Sequence, residues 1–199
     1  MREDELATAV VEHVEAAFEE PEIRLEEPYN HYGTRGVVDV YARTPPPERV
    51  TYLAELKADP AVRMASGANE ILRQYRRVER YFFRDDAHDL RTRLGRDGPG
   101  LRLLLLFAPT VRCVEHVFEH RSLYASIDPE LSVDGVPAAL KVAFLVNLGD
   151  APDGGLGFCS VNGDVSVGSA AFREAVPGES RLAEALAAAD VDIDGDADA

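Results

Sequence analysis

Three residues in two neighbouring apolar segments hold the groups with chemical potential. Asp39 is the one charged residue within Gly36-Val37-Val38-Asp39-Val40-Tyr41-Ala42, a run whose β-branched content predicts a central strand. A carboxylate there is costly unless it is paired or bound to a metal. In the next apolar run, Val50 to Lys57, Glu55 and Lys57 stand two residues apart. Both side chains therefore leave one strand face, about 7 Å apart at a rise of roughly 3.4 Å per residue. If the two strands pair, Asp39 joins them. Two carboxylates and an ammonium on one apolar sheet suit metal-dependent hydrolysis of a phosphodiester. The carboxylates hold a hard, oxygen-loving ion such as Mg²⁺ or Mn²⁺, the ion polarises the phosphate, and the lysine helps deprotonate or orient the attacking water.

The elements that must position these groups follow from periodicity. Leu6, Val10, Val14, Ala17 and Phe18 predict an amphipathic helix over residues 4–19, ended by Pro21. Strands are expected at 22–26, 36–42 and 50–57, with Pro45-Pro46-Pro47 in the connection between the last two. A second amphipathic helix is expected from Ala68 to Phe82, followed by a charged connection from Asp85 to Gly100. The apolar run Leu101–Phe107 suits a strand buried on both faces. A third helix over 111–123 and a strand over Val142–Leu148 follow. Beyond Asp150, Asn162-Gly163 suggests a hairpin and Glu179–Ala189 a helix, while 190–199 reads as an acidic disordered tail. The chain is thus expected to be α/β, with one domain over 1–150 and a small C-terminal extension over 151–189 packed on it.

Composition bounds the setting. The 199 residues suffice for one full core, and no apolar run approaches the roughly 20 residues of a membrane span. The acidic start Met1-Arg2-Glu3-Asp4-Glu5 lacks the basic and apolar regions of a secretory signal, so a cytoplasmic location and no membrane partner are expected. With two cysteines there is no disulfide framework. The formal net charge is −15, and of 21 basic residues only Lys57 and Lys141 are lysine. Such acidity with lysine avoidance resembles proteins of salt-loving archaea, whose carboxylate-rich surfaces stay hydrated in concentrated salt. Against that background a local basic excess matters more than the total.

Residues 73–84 supply one, with Arg73, Arg76, Arg77, Arg80 and Arg84. These arginines either contact phosphates or form the solvated face of the helix, paired with Glu70 and Glu79. Glu70, Gln74, Arg77 and Tyr81 form one helical row. Cys113, His116 and His120 share a face of the third helix, and with Cys159 they have the donor types of a zinc site; a buried cysteine on a partly exposed helix is the plainer reading.

Val38-Asp39, a gap, and then Glu55-Leu56-Lys57 resemble the signature of the PD-(D/E)XK nuclease superfamily, which includes restriction enzymes, junction resolvases and RecB-type nuclease domains. Val38 stands where the nominal motif has proline. The resemblance implies a restriction-endonuclease-like core of helix, three strands, helix and strand around a mixed sheet, matched by residues 4–107. It implies Asp39, Glu55 and the Leu56 carbonyl as metal ligands, Lys57 as the catalytic lysine and Gln74 as a site-orienting side chain. An acidic residue of the first helix, Glu12 or Glu15, would add to the set. Arg35, Arg73, Arg77 and Tyr81 become candidates for contact with DNA, and relatives that cut two strands carry an expectation of a homodimer. The alternative is a non-catalytic protein of the same fold that binds nucleic acid or a protein partner.

Overall fold

A computed structural model describes residues 1–31, 34–47, 50–63, 67–83, 100–125, 127, 130–133, 136–147, 156–161 and 170–189. Helix α1 (Glu3–Ala17) leads into strands β1 (Glu22–His31), β2 (Thr34–Arg43) and β3 (Val50–Lys57). The short helix α2 (Asp59–Val62) and the long α3 (Gly67–Phe83) precede β4 (Gly100–Phe107). Helices α4 (Val111–Glu119) and α5 (Arg121–Ala125), strands β5 (Glu130–Val133), β6 (Val136–Asn147) and β7 (Leu156–Ser160), and helices α6 (Ala170–Ala175) and α7 (Arg181–Ala189) complete the chain. The α/β class and the core order of helix, three strands, helix, strand agree with the sequence reading.

The sheet runs β1-β2-β3-β4-β6-β5, with β7 paired to β6. Strands β1, β2 and β3 pair antiparallel, whereas β3-β4 and β4-β6 are parallel. The register Tyr41↔Leu53 puts odd-numbered residues of β2 and β3 on one face. Through Lys57↔Phe107 and Phe107↔Phe144 that face continues into β4 and β6. Phe107 meets the rings of His116 and Tyr124 there, so α4 and α5 cover this face. Helix α1 covers the other, where Phe18 meets Tyr52 and His13 meets Phe158. Covered on both sides, Leu103 to Phe107 are all buried, as their uninterrupted apolar sequence implies.

Several boundaries differ from expectation for identifiable reasons. Strand β1 extends to His31 because β2 pairs with it through Glu27↔Val38 and Pro28↔Val37. It lies at the sheet edge, where a proline without a donor is tolerated. The expected third helix is two, parted at His120, whose φ of −108° and ψ of 24° leave the helical region. Helix α2, unanticipated, starts with Asp59-Pro60, and a proline in the first turn costs no hydrogen bond. Strand β5 and helix α6 were also not read from the sequence. The last helix begins after Ser180, whose hydroxyl accepts from the Ala183 N–H at 3.1 Å. The connection at 85–99, the Asn162-Gly163 turn and the tail at 190–199 lie outside the described residues. No helix among the described residues is long and apolar enough to cross a membrane.

Candidate active site

Strands β2 and β3 pair from Arg43↔Thr51 to Val40↔Ala54, and the paired register ends there. Two residues beyond Ala54, the Leu56 N–H donates to the side chain of Asp39, the neighbour of Val40, at Oδ2 and 2.7 Å instead of to a strand carbonyl. On the other side of β2 the ladder passes from Leu25↔Val40 to Glu27↔Val38, skipping Glu26, whose φ is 53°, and Asp39. Asp39 is therefore a break in the ladders on both flanks, and its carboxylate takes over a main-chain donor at the gap. Because a strand residue directs its N–H and C=O to the same side, the Leu56 carbonyl heads into the gap as well.

Glu55 and Lys57 follow on the face that Asp39 shares. Both side chains are buried, about 7% exposed, with Lys57 Nζ 3.4 Å from Glu55 Oε2. Burial pushes the Glu55 carboxyl up to about 7; Asp39 adds to the rise and Lys57 opposes it. The ion pair thus leaves the buried charge short of compensation. The separation is long for a hydrogen bond.

These side chains line a cleft of about 380 Å³ together with Glu3, Val37, Gly67 and a row on α3, namely Glu70, Gln74 and Arg77. The cleft sits at the C-terminal end of β3, next to the parallel pair β3-β4, the customary place for ligands in α/β sheets. Gln74 Nε2 donates to Glu70 Oε1 at 3.2 Å, and Arg73 donates to both Glu70 oxygens at 2.8 and 2.6 Å. The Arg73 hydrogen bonds hold the Glu70 carboxyl below its ordinary value.

Of the sequence-derived candidates, Asp39, Glu55, Lys57, Gln74 and Arg77 come together in this cleft. Arg73 points outward and engages Glu70, and Arg35 is exposed on β2 beside Gly36 of the cleft wall. Tyr81 belongs to α3, but its side chain lies outside what is described, as does that of Arg80, and Arg84 is outside the described residues altogether. The acidic residue that α1 supplies is Glu3, not Glu12 or Glu15, both of which are exposed and off the cleft. Glu3 remains largely open to solvent, yet its carboxyl is pushed up, first by loss of surrounding water and then by Asp39, against the pull of Lys57. The helix starts at the cleft and runs away from it, a direction that its periodicity does not encode.

Asp39 and Glu55 offer oxygen donors suited to a divalent cation, and their crowding in a buried site is what such a cation relieves. Among the described residues, no group of three or more His, Cys, Asp or Glu side chains is gathered in a way that could hold a metal, so Cys113, His116, His120 and Cys159 do not form the zinc set. Instead Cys113 Sγ faces the Lys57 carbonyl at 3.8 Å, and His116 Nε2 is 2.8 Å from the Tyr124 hydroxyl.

Comparison with known proteins agrees with this architecture. A family profile described as PD-(D/E)XK nuclease superfamily domain matches residues 1–190. No curated protein and no solved structure matches the chain. With a match of that extent on a helix, three-strand, helix, strand core, the chain belongs to the PD-(D/E)XK nuclease superfamily.

Proposed function

We propose that the protein hydrolyses DNA phosphodiester bonds with a divalent metal, Mg²⁺ or Mn²⁺, as its cofactor. One observation carries the reading: Asp39, Glu55 and Lys57 line one open cleft at the point where β2 and β3 part. In a scaffold protein these three groups need not converge.

Nucleases of this superfamily use divalent metal ions. Asp39, Glu55 and the Leu56 carbonyl would hold the ion, which when bound neutralises the carboxylates and polarises the phosphate. The chain supplies the rest. The Leu56 N–H fixes one Asp39 oxygen and so leaves the other for a ligand. Lys57 offers three N–H donors close to Glu55, within a site that excludes most water, and its ammonium can orient the attacking water or stabilise the charge gathering on the phosphate. Gln74, across the cleft on α3, adds a neutral side chain that can hold the water or a phosphate oxygen. Arg77 lines the same wall, and with Arg35, Arg73 and Tyr81 it would contact the backbone on either side of the scissile bond.

The test is cleavage of duplex, single-stranded and branched DNA by the purified protein, with Mg²⁺ or Mn²⁺ and with chelator, beside Lys57→Ala. Metal-dependent cutting that disappears in a folded Lys57→Ala protein is expected. Absence of cutting on every substrate by folded wild type would replace this reading with that of a non-catalytic nucleic-acid or protein binder. The assay is to be run across a salt series, because phosphate contacts weaken as salt rises and the acidic composition resembles that of proteins adapted to concentrated salt.

A further inference from the structure

Gln74 is the single glutamine of the chain, and it stands in the cleft wall. A glutamine amide is nearly symmetric in shape, so the same space accepts either its carbonyl or its NH₂ end. The two orientations do different chemistry: a carbonyl accepts a hydrogen bond from water or an amine, whereas an NH₂ group donates one to phosphate oxygens. Something must choose between them.

Glu70, one helical turn before Gln74, supplies the choice. Its carboxylate is an acceptor only, so it can bond the NH₂ end and not the carbonyl. The observed contact is of that kind, Gln74 Nε2 to Glu70 Oε1 at 3.2 Å. A single Arg73 nitrogen, Nη2, donates to both oxygens of the same carboxylate, at 2.8 and 2.6 Å, in charge-assisted contacts. The spacing of three and four residues makes all three contacts local to one helix.

We propose that Glu70, held by Arg73, is a positioning residue that sets the Gln74 side chain with its carbonyl oxygen presented to the cleft. The catalytic consequence rests on the nuclease reading: the carbonyl would accept a hydrogen bond from the attacking water and direct that water's lone pair at phosphorus. Glu70 itself touches neither water nor phosphate in this role. Arg73 thereby acquires a task besides any contact with the DNA backbone.

The sole glutamine makes the orientation directly readable. In protein labelled with ¹⁵N-glutamine, the side-chain amide yields one pair of proton resonances, and the proton donated to Glu70 is expected downfield and slow to exchange. Glu70→Ala should return the pair to the position of a free glutamine amide, and Arg73→Ala should move it part of the way. In steady-state cleavage, Glu70→Ala should lower kcat about tenfold, the lower end of what outer hydrogen-bond partners of active-site groups contribute, with KM unchanged. Placed on Gln74→Ala, it should add nothing. An amide pair unaltered by Glu70→Ala, or a loss that adds in full to that of Gln74→Ala, would overturn the proposal. A wild type that cuts no substrate would sink the nuclease reading, while the amide spectrum would still decide the orientation.

Discussion

Two groups of buried polar side chains lie side by side on the same sheet face, joined by the register Lys57↔Phe107. Beyond Phe107, His116 bonds the Tyr124 hydroxyl at 2.8 Å and packs edge-on against His120, with ring centroids 4.8 Å apart. Burial, reinforced by His120, pulls His116 down to about 4, so the ring is neutral and its polar atom is satisfied by a neutral partner. On the β3 side, burial pushes Glu55 up to about 7, and the neighbouring Asp39 adds to it. One cluster consumes its own hydrogen-bonding capacity; the other holds carboxylates together without enough positive charge. Buried polar groups of the first kind specify packing, and those of the second kind are costly unless a ligand completes them.

The sharpest test of the contrast is activity. Glu55→Gln and Lys57→Ala should each lower DNA cleavage by about 10²–10⁴-fold, the range associated with positioned acid–base and electrostatic groups. His116→Ala should leave the turnover of still-folded protein within a few-fold. Comparable losses from both clusters would show that the division is false.

The pH dependence of stability should also run in opposite directions. Metal-free Glu55 binds its proton more tightly folded, at about 7, than unfolded, at 4.5. Its contribution is therefore lost as pH rises from 4.5 through 7, by up to about 3 kcal/mol. His116 binds its proton less tightly folded, at about 4, than unfolded, at 6.5. Its contribution is lost as pH falls from 6.5 through 4, by a similar amount. The windows overlap and offset each other in wild type, so the measurement is urea unfolding of Glu55→Gln against wild type from pH 5 to 8. The variant should gain relative stability as pH rises.

A divalent ion should act on one cluster alone. At a hundred times its dissociation constant, Mg²⁺ or Mn²⁺ should stabilise wild type by about 2.7 kcal/mol, read as a rise in Tm. Asp39→Asn should lose most of that rise, and Tyr124→Phe should retain it. Tyr124→Phe has its own cost, about 1–3 kcal/mol, because it removes the partner of a buried His116 nitrogen. The smallest effect is expected at the cleft wall. Arg77→Ala should weaken DNA binding and reduce the slope of log K against log salt by about one phosphate contact, without changing Tm appreciably.

Much of this arrangement was legible in residue order. The two-residue spacing of Glu55 and Lys57 put both on one face, and the helical row Glu70, Gln74, Arg77 met the cleft as a row. The run at 101–107 read as a strand covered on both faces, and its residues Leu103 to Phe107 are all buried. Boundaries that depended on a neighbour were not legible: Glu26, Glu27 and Pro28 are poor strand formers, and they extend β1 only because β2 lies alongside. Helix α1 read correctly as amphipathic, but Glu12 and Glu15 were the wrong acidic residues, since periodicity reports which side is buried and not which end meets the cleft.

Local pattern, a matter of side-chain period and turn chemistry, thus determined the core elements from the first helix to β4, the face carrying Glu55 and Lys57, and the resemblance to a nuclease family. Tertiary structure alone decided that β2 and β3 part at Asp39, that Glu3 rather than Glu12 reaches the cleft, and that His116 turns to Tyr124 instead of a metal. These outcomes depend on contacts between segments distant in sequence, and the cost of burying a charge is set by what those segments bring to it.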